Sequence, residues 1–345
     1  MWNIDYNVHD LLKIRIARNG QFDLGRKLKY ISFGGNEDLE NTDIVLNIGK
    51  FSPTNNNCDF ISHKYYVKEN YIYCKDKGRN TRWEVEIIGF EEGKTTINFS
   101  GKDSGLKGIL FPTFLAQEFL IPIIEYKLAQ NNHFLVHAGE VSKDSNAYVF
   151  AGRPGAYKTT LIMDLIRKAN FTYLGDERII ISKDNILSFP RMFFFFEYML
   201  NNMSTEECSF FDKVNSLKYN LRKRNEISVP LVDPSKLKAL FLISRLCGND
   251  VNITELPFKK GIEKLIVNNK AEFVSSTPIT PIDQFYKYMM VYSLIFPDNK
   301  IANHWDNLYD GLINVLENVP IYEIQMPYEY DPGIFNAILK FIDSR

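Results

Sequence analysis

The chain has 345 residues, and its 41 Lys and Arg nearly cancel its 42 Asp and Glu, leaving a formal net charge of −1. That balance argues against a dedicated nucleic-acid binder and against a general attraction to anionic membranes, both of which need a basic excess. With 45% apolar and 24% charged residues the composition is that of a globular protein with a sizeable core, and the length suits about two domains.

Four cysteines, Cys58, Cys74, Cys208 and Cys247, lie far apart with no Cys-x-x-Cys pair. This points away from a zinc site or a disulfide framework and towards thiols in a reducing compartment. The start, Met1-Trp2-Asn3-Ile4-Asp5, has no basic leader followed by an apolar run. The most apolar long stretch, 108–126, is interrupted by Pro112, Gln117, Glu118, Pro122 and Glu125, which are costly in a bilayer. The expectation is a cytoplasmic protein with neither membrane nor nucleic acid among its partners.

Residues 1–108 read as a β-rich accessory domain, a sheet or a sandwich. Strands are predicted at 12–16, 30–33, 44–48, 71–74 and 83–88, separated by Gly- and Asn-rich clusters. Leu12, Ile14 and Ile16 alternate with Lys13 and Arg15. Trp83, Val85 and Ile87 alternate with Glu84 and Glu86, so these strands should be half exposed.

Residues 109–345 read as an α/β domain with a helical C-terminal part. Leu115, Phe119, Ile123, Ile124 and Leu128 recur at helical spacing and predict a helix over 111–130. A strand is predicted at 133–137 and a second at 147–151. A Gly-containing turn follows, then a helix over 158–168 and a strand over 171–174. Further strands are predicted at 177–181, 237–244 and 321–325, and helices at 281–296, 302–315 and 332–342.

The stretch Gly152-Arg153-Pro154-Gly155-Ala156-Tyr157-Lys158-Thr159-Thr160 carries the chemistry. Gly152, Lys158 and Thr159 stand where the phosphate loop G-x-x-x-x-G-K-[ST] needs them, between a strand and a helix. In such a loop, successive main-chain N–H groups and the helix N-terminus cradle phosphates. Lys158 would reach the β- and γ-phosphates of a nucleotide, and the Thr159 hydroxyl would ligate Mg2+. Tyr157 occupies the position of the second glycine, which normally frees the backbone beside the ligand.

Two more groups join this loop. Asp176 and Glu177, followed by Arg178, lie between two predicted strands. One carboxylate suits a metal-bound role and its neighbour suits taking a proton from an acceptor hydroxyl. His137, in His137-Ala138-Gly139-Glu140, is placed at the end of the strand before the loop strand, facing phosphate or acceptor. The run Arg222-Lys223-Arg224 and Arg191 are read as solvated or as a clamp on the transferring group, and Phe193 to Phe196 as core.

The order of these pieces, His-Ala, strand, loop with Lys-Thr, helix, strand, Asp-Glu-Arg, resembles the HPr kinase/phosphorylase family and its relatives with a phosphoenolpyruvate-carboxykinase-like fold, including kinases of peptide-tailoring gene clusters. The resemblance covers about 114–192. It implies an α/β (α+β overall) P-loop core of mixed sheet with flanking helices, and an ATP- and Mg2+-dependent kinase acting on a serine hydroxyl of a protein or peptide. By the same resemblance Asp176 is the catalytic base, Glu177 lies near Mg2+ and Arg178 matches the family arginine. Family relatives assemble as homo-oligomers. Tyr157 and Glu177 depart from the family's Gly and second Asp. A nucleotide-binding sensor or scaffold without transfer, and a small-molecule kinase, stay open as alternatives.

Overall fold

A computed structural model describes residues 2–18, 39–78, 81–103, 114–153, 155–175, 178–183, 185–189, 234–246, 248, 250–272 and 284–345. The strand expected at 30–33, Pro154, Asp176, Glu177, Arg191, Phe193 to Phe196, Arg222 to Arg224, Cys208 and Cys247 lie outside them. Within the described residues the chain is mixed α and β, with two mixed sheets and six α-helices. None of those helices is long and apolar enough to cross a membrane. The chain divides into two compact units. The first comprises described residues up to 134 and 270–311, and the second comprises 135–269 and 312–345.

The first unit holds an eight-stranded sheet. Its strands are β1 (Trp2–Val8), β2 (Leu12–Arg18), β3 (Ile44–Ile48), β4 (Phe60–Ile61), β5 (Tyr65–Lys68), β6 (Tyr71–Gly78), β7 (Thr81–Ile88) and β8 (Thr95–Asp103), in the order β1-β2-β3-β8-β7-β6-β5-β4. Period-2 alternation explains its buried face: Ile14 and Ile16 on β2, Trp83, Val85 and Ile87 on β7, and Ile97 and Phe99 on β8 are all buried. Helix α1 (Ile121–Ala129) follows a π-helical turn (Ala116–Leu120). The helix expected over 111–130 is interrupted there for a local reason. Pro122 has no N–H to give to Glu118, and the Ile121 N–H donates five residues back to the Ala116 carbonyl. Phe119 of that turn packs on Phe99 and on Tyr288, and the Trp83 indole N–H donates to the Tyr288 hydroxyl at 2.8 Å.

Glu86 departs from its expected exposure. It is fully buried, and its carboxyl accepts from Thr54 N (2.6 Å), Thr54 Oγ1 (2.9 Å), Tyr71 OH (2.9 Å) and Asn98 Nδ2 (2.7 Å). Thr54 comes from the connection between β3 and β4, which supplies donors that a solvent-facing glutamate would take from water.

The second unit is built on a sheet of β9 (Phe134–Val136), β10 (Ala138–Lys143), β11 (Asn146–Gly152), β12 (Thr172–Gly175), β13 (Ile179–Ser182), β14 (Asn185–Ser188), β15 (Ser235–Arg245), β16 (Asn252–Glu255) and β17 (Ile321–Met326). The order is β12-β10-β11-β15-β14-β13-β9, with β17 pairing parallel to β15 and antiparallel to β16. Strand β11 runs parallel to β15 on one side and antiparallel to β10 on the other. Helix α2 (Lys158–Ala169) leaves the end of β11 and packs Leu161, Ile162 and Leu165 onto Phe150, Phe241 and Ile324. It stops at Asn170, a left-handed cap with φ 56° whose N–H returns to the Leu165 carbonyl.

Three more helices begin at Phe258, Gln284 and His304: α3 (Phe258–Glu272), α4 (Gln284–Ile295) and α5 (His304–Leu316). Gly261 of α3 rides on Ile321 of β17, where a Cβ would meet Ile321 side-chain carbons at 2.8 Å. The last helix, α6 (Pro332–Asp343), starts with Asp331 accepting from the Gly333 and Ile334 N–H groups and with Pro332 in its first turn.

Candidate functional site

The loop between β11 and α2 is shaped by its neighbours on the sheet. At Gly152, a Cβ would sit 2.8 Å from the Ile243 carbonyl oxygen of β15, so only glycine lets the two parallel strands close at that point. The chain then turns, with the Ala156 N–H on the Arg153 carbonyl at 3.0 Å and Gly155 at φ +82°. Tyr157 takes φ 57° and ψ 22°, the left-handed region that glycine adopts freely. The backbone therefore has the geometry the missing glycine would give, held by a residue that pays for it.

An aromatic and cationic stack surrounds Tyr157. The Arg245 guanidinium, at the end of β15, lies 4.4 Å from the Tyr157 ring centre and 4.2 Å from that of Tyr328. It also donates to the Gly155 carbonyl at 2.9 Å and to the Tyr328 carbonyl. The Tyr157 and Tyr330 rings are 5.5 Å apart, and the Tyr330 hydroxyl donates to Asp164 of α2 at 3.1 Å. Tyr157 thus points away from the loop interior into this stack. Cation–π contacts of this kind each contribute about 0.5–1 kcal/mol at exposed sites, the same order as the cost of the left-handed backbone.

Lys158 is buried at the first position of α2. Its ammonium donates to the Gly152 carbonyl at 2.8 Å and contacts His137 Nε2 at 3.1 Å. With the ammonium as donor, Nε2 accepts, and the imidazole is then the neutral tautomer with its proton on Nδ1. His137 is held through its main chain by α3. Its N–H donates to Asn269 Oδ1 at 2.9 Å, and its carbonyl accepts from Asn268 Nδ2 at 3.1 Å. The N-cap residue of α2, Tyr157, makes no side-chain cap bond, and Thr159 and Thr160 in the first turn are half-buried. Arg153 and Gly155 are exposed, and Ala156 is buried.

Two placements differ from the sequence reading. His137 stands between β9 and β10 and so precedes the strand neighbouring β11, because the residues read as one strand belong to β9 and a new strand, β10, begins at Ala138. The strand after α2 is not beside the loop strand. β12 pairs with β10, so β10 intervenes between β12 and β11. Antiparallel pairing nevertheless runs β12 towards the start of β10. Gly175, the last residue of β12, is opposite Glu140, two residues on from Ala138 at the start of β10. Arg178, half-buried, resumes the described chain just before β13, its carbonyl 3.5 Å from where a Gly175 Cβ would lie.

The structure adds two residues to the loop's surroundings. One is Arg245, whose sequence signal was a cation directly after a strand that runs parallel to the loop strand. The other is Glu140. It is fully buried on β10, neither carboxyl oxygen has a hydrogen-bond partner among the described residues, and burial alone pushes its pKa well above the usual carboxylate range. Among the described residues no three His, Cys, Asp or Glu side chains are grouped to hold a metal ion. Of the expected Mg2+ ligands, the Thr159 hydroxyl is the one within the described residues, and its oxygen chemistry suits a hard cation. No protein-family model matches this sequence, and no curated protein matches it.

Proposed function

We propose that the protein is an ATP- and Mg2+-dependent kinase of the HPr-kinase-like kind, transferring the γ-phosphoryl group to a hydroxyl, that of a serine in a protein or peptide. The observation that carries this reading is the strand–loop–helix with Lys158 held at the loop mouth between the Gly152 carbonyl and His137. An ammonium parked on acceptors it can exchange for phosphate oxygens, under the open N-terminus of a helix, is the arrangement a polyphosphate site needs.

In this reading Lys158 and the loop N–H groups steady the β- and γ-phosphates, while Gly152 keeps the main chain close to them. Thr159 and Glu177 would hold Mg2+ through oxygen, and the ion would neutralise charge on the phosphates. Asp176 takes the proton of the acceptor hydroxyl, whose oxygen then bonds to the γ-phosphorus as the bond to the β–γ bridging oxygen breaks and ADP leaves. Arg178 offsets charge in the transition state. His137, neutral beside Lys158, positions the ammonium.

A second reading, a nucleotide-binding sensor or scaffold without transfer, draws support from the Arg245 clamp on the Gly155 carbonyl, which stiffens the loop. Two measurements separate the readings. Calorimetric titration with a non-hydrolysable ATP analogue and Mg2+ should give binding that Lys158→Ala weakens at least tenfold. Unchanged affinity would remove both readings. Phosphate release or transfer by the unaltered chain, lost in Asp176→Asn, supports the kinase, and binding with no turnover leaves the sensor.

A further inference from the structure

The eight-stranded sheet of the first unit carries an open cleft of about 500 Å³ on the β6–β7 hairpin, the turn before β5 and β8, lined by none of the residues proposed for phosphoryl transfer. Four cations line it, Lys64, Lys75, Lys77 and Arg82, against two carboxylates, Asp76 and Glu84. The carboxylates are already taken. Lys64 and Lys287 hold Asp76 at 2.7 and 2.8 Å, and Lys75 holds Glu84 at 2.7 Å. Among the described residues Lys77 and Arg82 have no carboxylate of their own, and both are exposed.

These two cations are directly paired across the hairpin, Lys77 opposite Arg82. Such pairs share one face, with Cβ atoms about 5 Å apart, and like charges so placed destabilise a sheet. A guanidinium and an ammonium on directly paired positions are within reach of a single small group. Two carboxylates along an extended peptide are spaced too widely for that. Ser100 of β8, also lining the cleft, adds a hydroxyl donor diagonal to Arg82. Arg, Lys and hydroxyl donors around an excess of two positive charges match the two negative charges and three free oxygens of a phosphate monoester. A polyanion such as nucleic acid is disfavoured by the chain's net charge of −1.

We infer that this cleft is a binding site for a phosphate monoester, with Lys77, Arg82 and Ser100 as its donors. It does not depend on the kinase reading, because none of these residues belongs to the loop. The same dianion can come as free phosphate or as a phosphorylated side chain, and the test separates the sources.

Calorimetric titrations would use orthophosphate, phosphoserine, and a capped Gly-Gly-phosphoserine-Gly-Gly peptide, with the unphosphorylated peptide as control. They would be run on the full chain carrying Lys158→Ala, so that phosphate at the loop does not register, and repeated on the unaltered chain. The expected result is saturable binding of at least one phosphorylated probe, no binding of the control peptide, and at least a tenfold loss of affinity in Lys77→Gln/Arg82→Gln. These are exposed positions, and melting curves would establish that the variant is folded. Tighter binding of the phosphopeptide than of orthophosphate assigns the site to a phosphorylated side chain, and equal or tighter orthophosphate binding assigns it to the free ion. Absence of binding by all three probes, or affinities the double variant leaves unchanged, overturns the inference.

Discussion

Glu86 and Glu140 are both fully buried in a strand interior, one in each unit, and their surroundings differ completely. Glu86, on β7, accepts four hydrogen bonds from three residues, two of them far from it in sequence. Glu140, on β10, accepts none among the described residues. A buried polar group that is satisfied costs little, whereas one that is bare loses its hydration with no return. The first sheet has resolved its buried carboxyl into structure. The second keeps an unresolved one on β10, opposite Gly175 of β12 and Val149 of the loop strand β11.

The contrast is tested most severely at Glu86. Glu86→Leu takes the acceptor from four donors, of which the Tyr71 hydroxyl is buried, and the loss should be about 2–3 kcal/mol, read from denaturant unfolding followed by the first unit's tryptophan fluorescence. A loss below about 1 kcal/mol would mean that the hydrogen-bond set around Glu86 does not hold the sheet together.

His304 sharpens the comparison from the other side, as a bare group in the first unit. Its Nε2 has no partner among the described residues, and burial, followed by the nearby Lys270 charge, pushes its pKa from 6.5 down to about 4. A base with a depressed folded value is neutral in the fold but charged in the unfolded chain. The stability it contributes is present above pH 6.5 and is lost as pH falls towards 4. The span corresponds to about 3 kcal/mol. His304→Phe, which keeps a ring against Tyr126, should flatten the unfolding midpoint between pH 6.5 and 4. An unchanged slope would assign the acid sensitivity to other groups.

Glu140 should answer in the opposite sense to Glu86. Glu140→Met replaces a bare carboxyl by an apolar chain of similar length and should stabilise the fold by about 2 kcal/mol at neutral pH. The pH dependence is also opposite to that of His304. An acid whose folded pKa is raised favours the fold below its ordinary value of 4.5, and that advantage declines as pH rises towards the raised value. Glu140→Gln, which cannot ionise, should remove this decline in melting curves from pH 4.5 to 8. If Glu140→Met destabilises as much as Glu86→Leu, the distinction between the two carboxyls is lost.

Much of this was legible in the sequence, and the gaps have physical causes. The strands with a clean apolar face, β2, β3 and β7, and the helices α2, α4, α5 and α6 follow directly from period 2 or period 3.6. Strand β1 was passed over although Ile4, Tyr6 and Val8 alternate, because Asn3, Asp5 and Asn7 between them read as turn residues. Strand β10, Ala-Gly-Glu-Val-Ser-Lys, has no apolar period at all. It is a strand because β11 and β12 bond to it on both sides. Helix α3 was hidden by Gly261 and by Asn268 and Asn269, which weaken helical propensity, yet each has a contact only the fold supplies. At the loop, Gly152, Lys158 and His137 could be read from residue type and spacing. The Arg245 clamp could not, since its distance from Gly155 is 90 positions along the chain.

The smallest effect concerns Tyr157, where the stack and the backbone oppose each other. Replacing it by either Ala or Gly removes the ring from Arg245 and from Tyr330, so the stack is lost equally in both variants. They then differ only in what the left-handed backbone costs, because Ala carries a Cβ and Gly does not. Tyr157→Gly should therefore be more stable than Tyr157→Ala by about 1 kcal/mol, the reverse of the order these residues show inside a helix. Unfolding curves of the two variants measure the difference directly. Should Ala prove equal or better, the chain at 157 would relax out of the left-handed region once the ring is gone. The Arg245 sandwich, and not the approach of β11 to α2, would then be what sets the loop's shape.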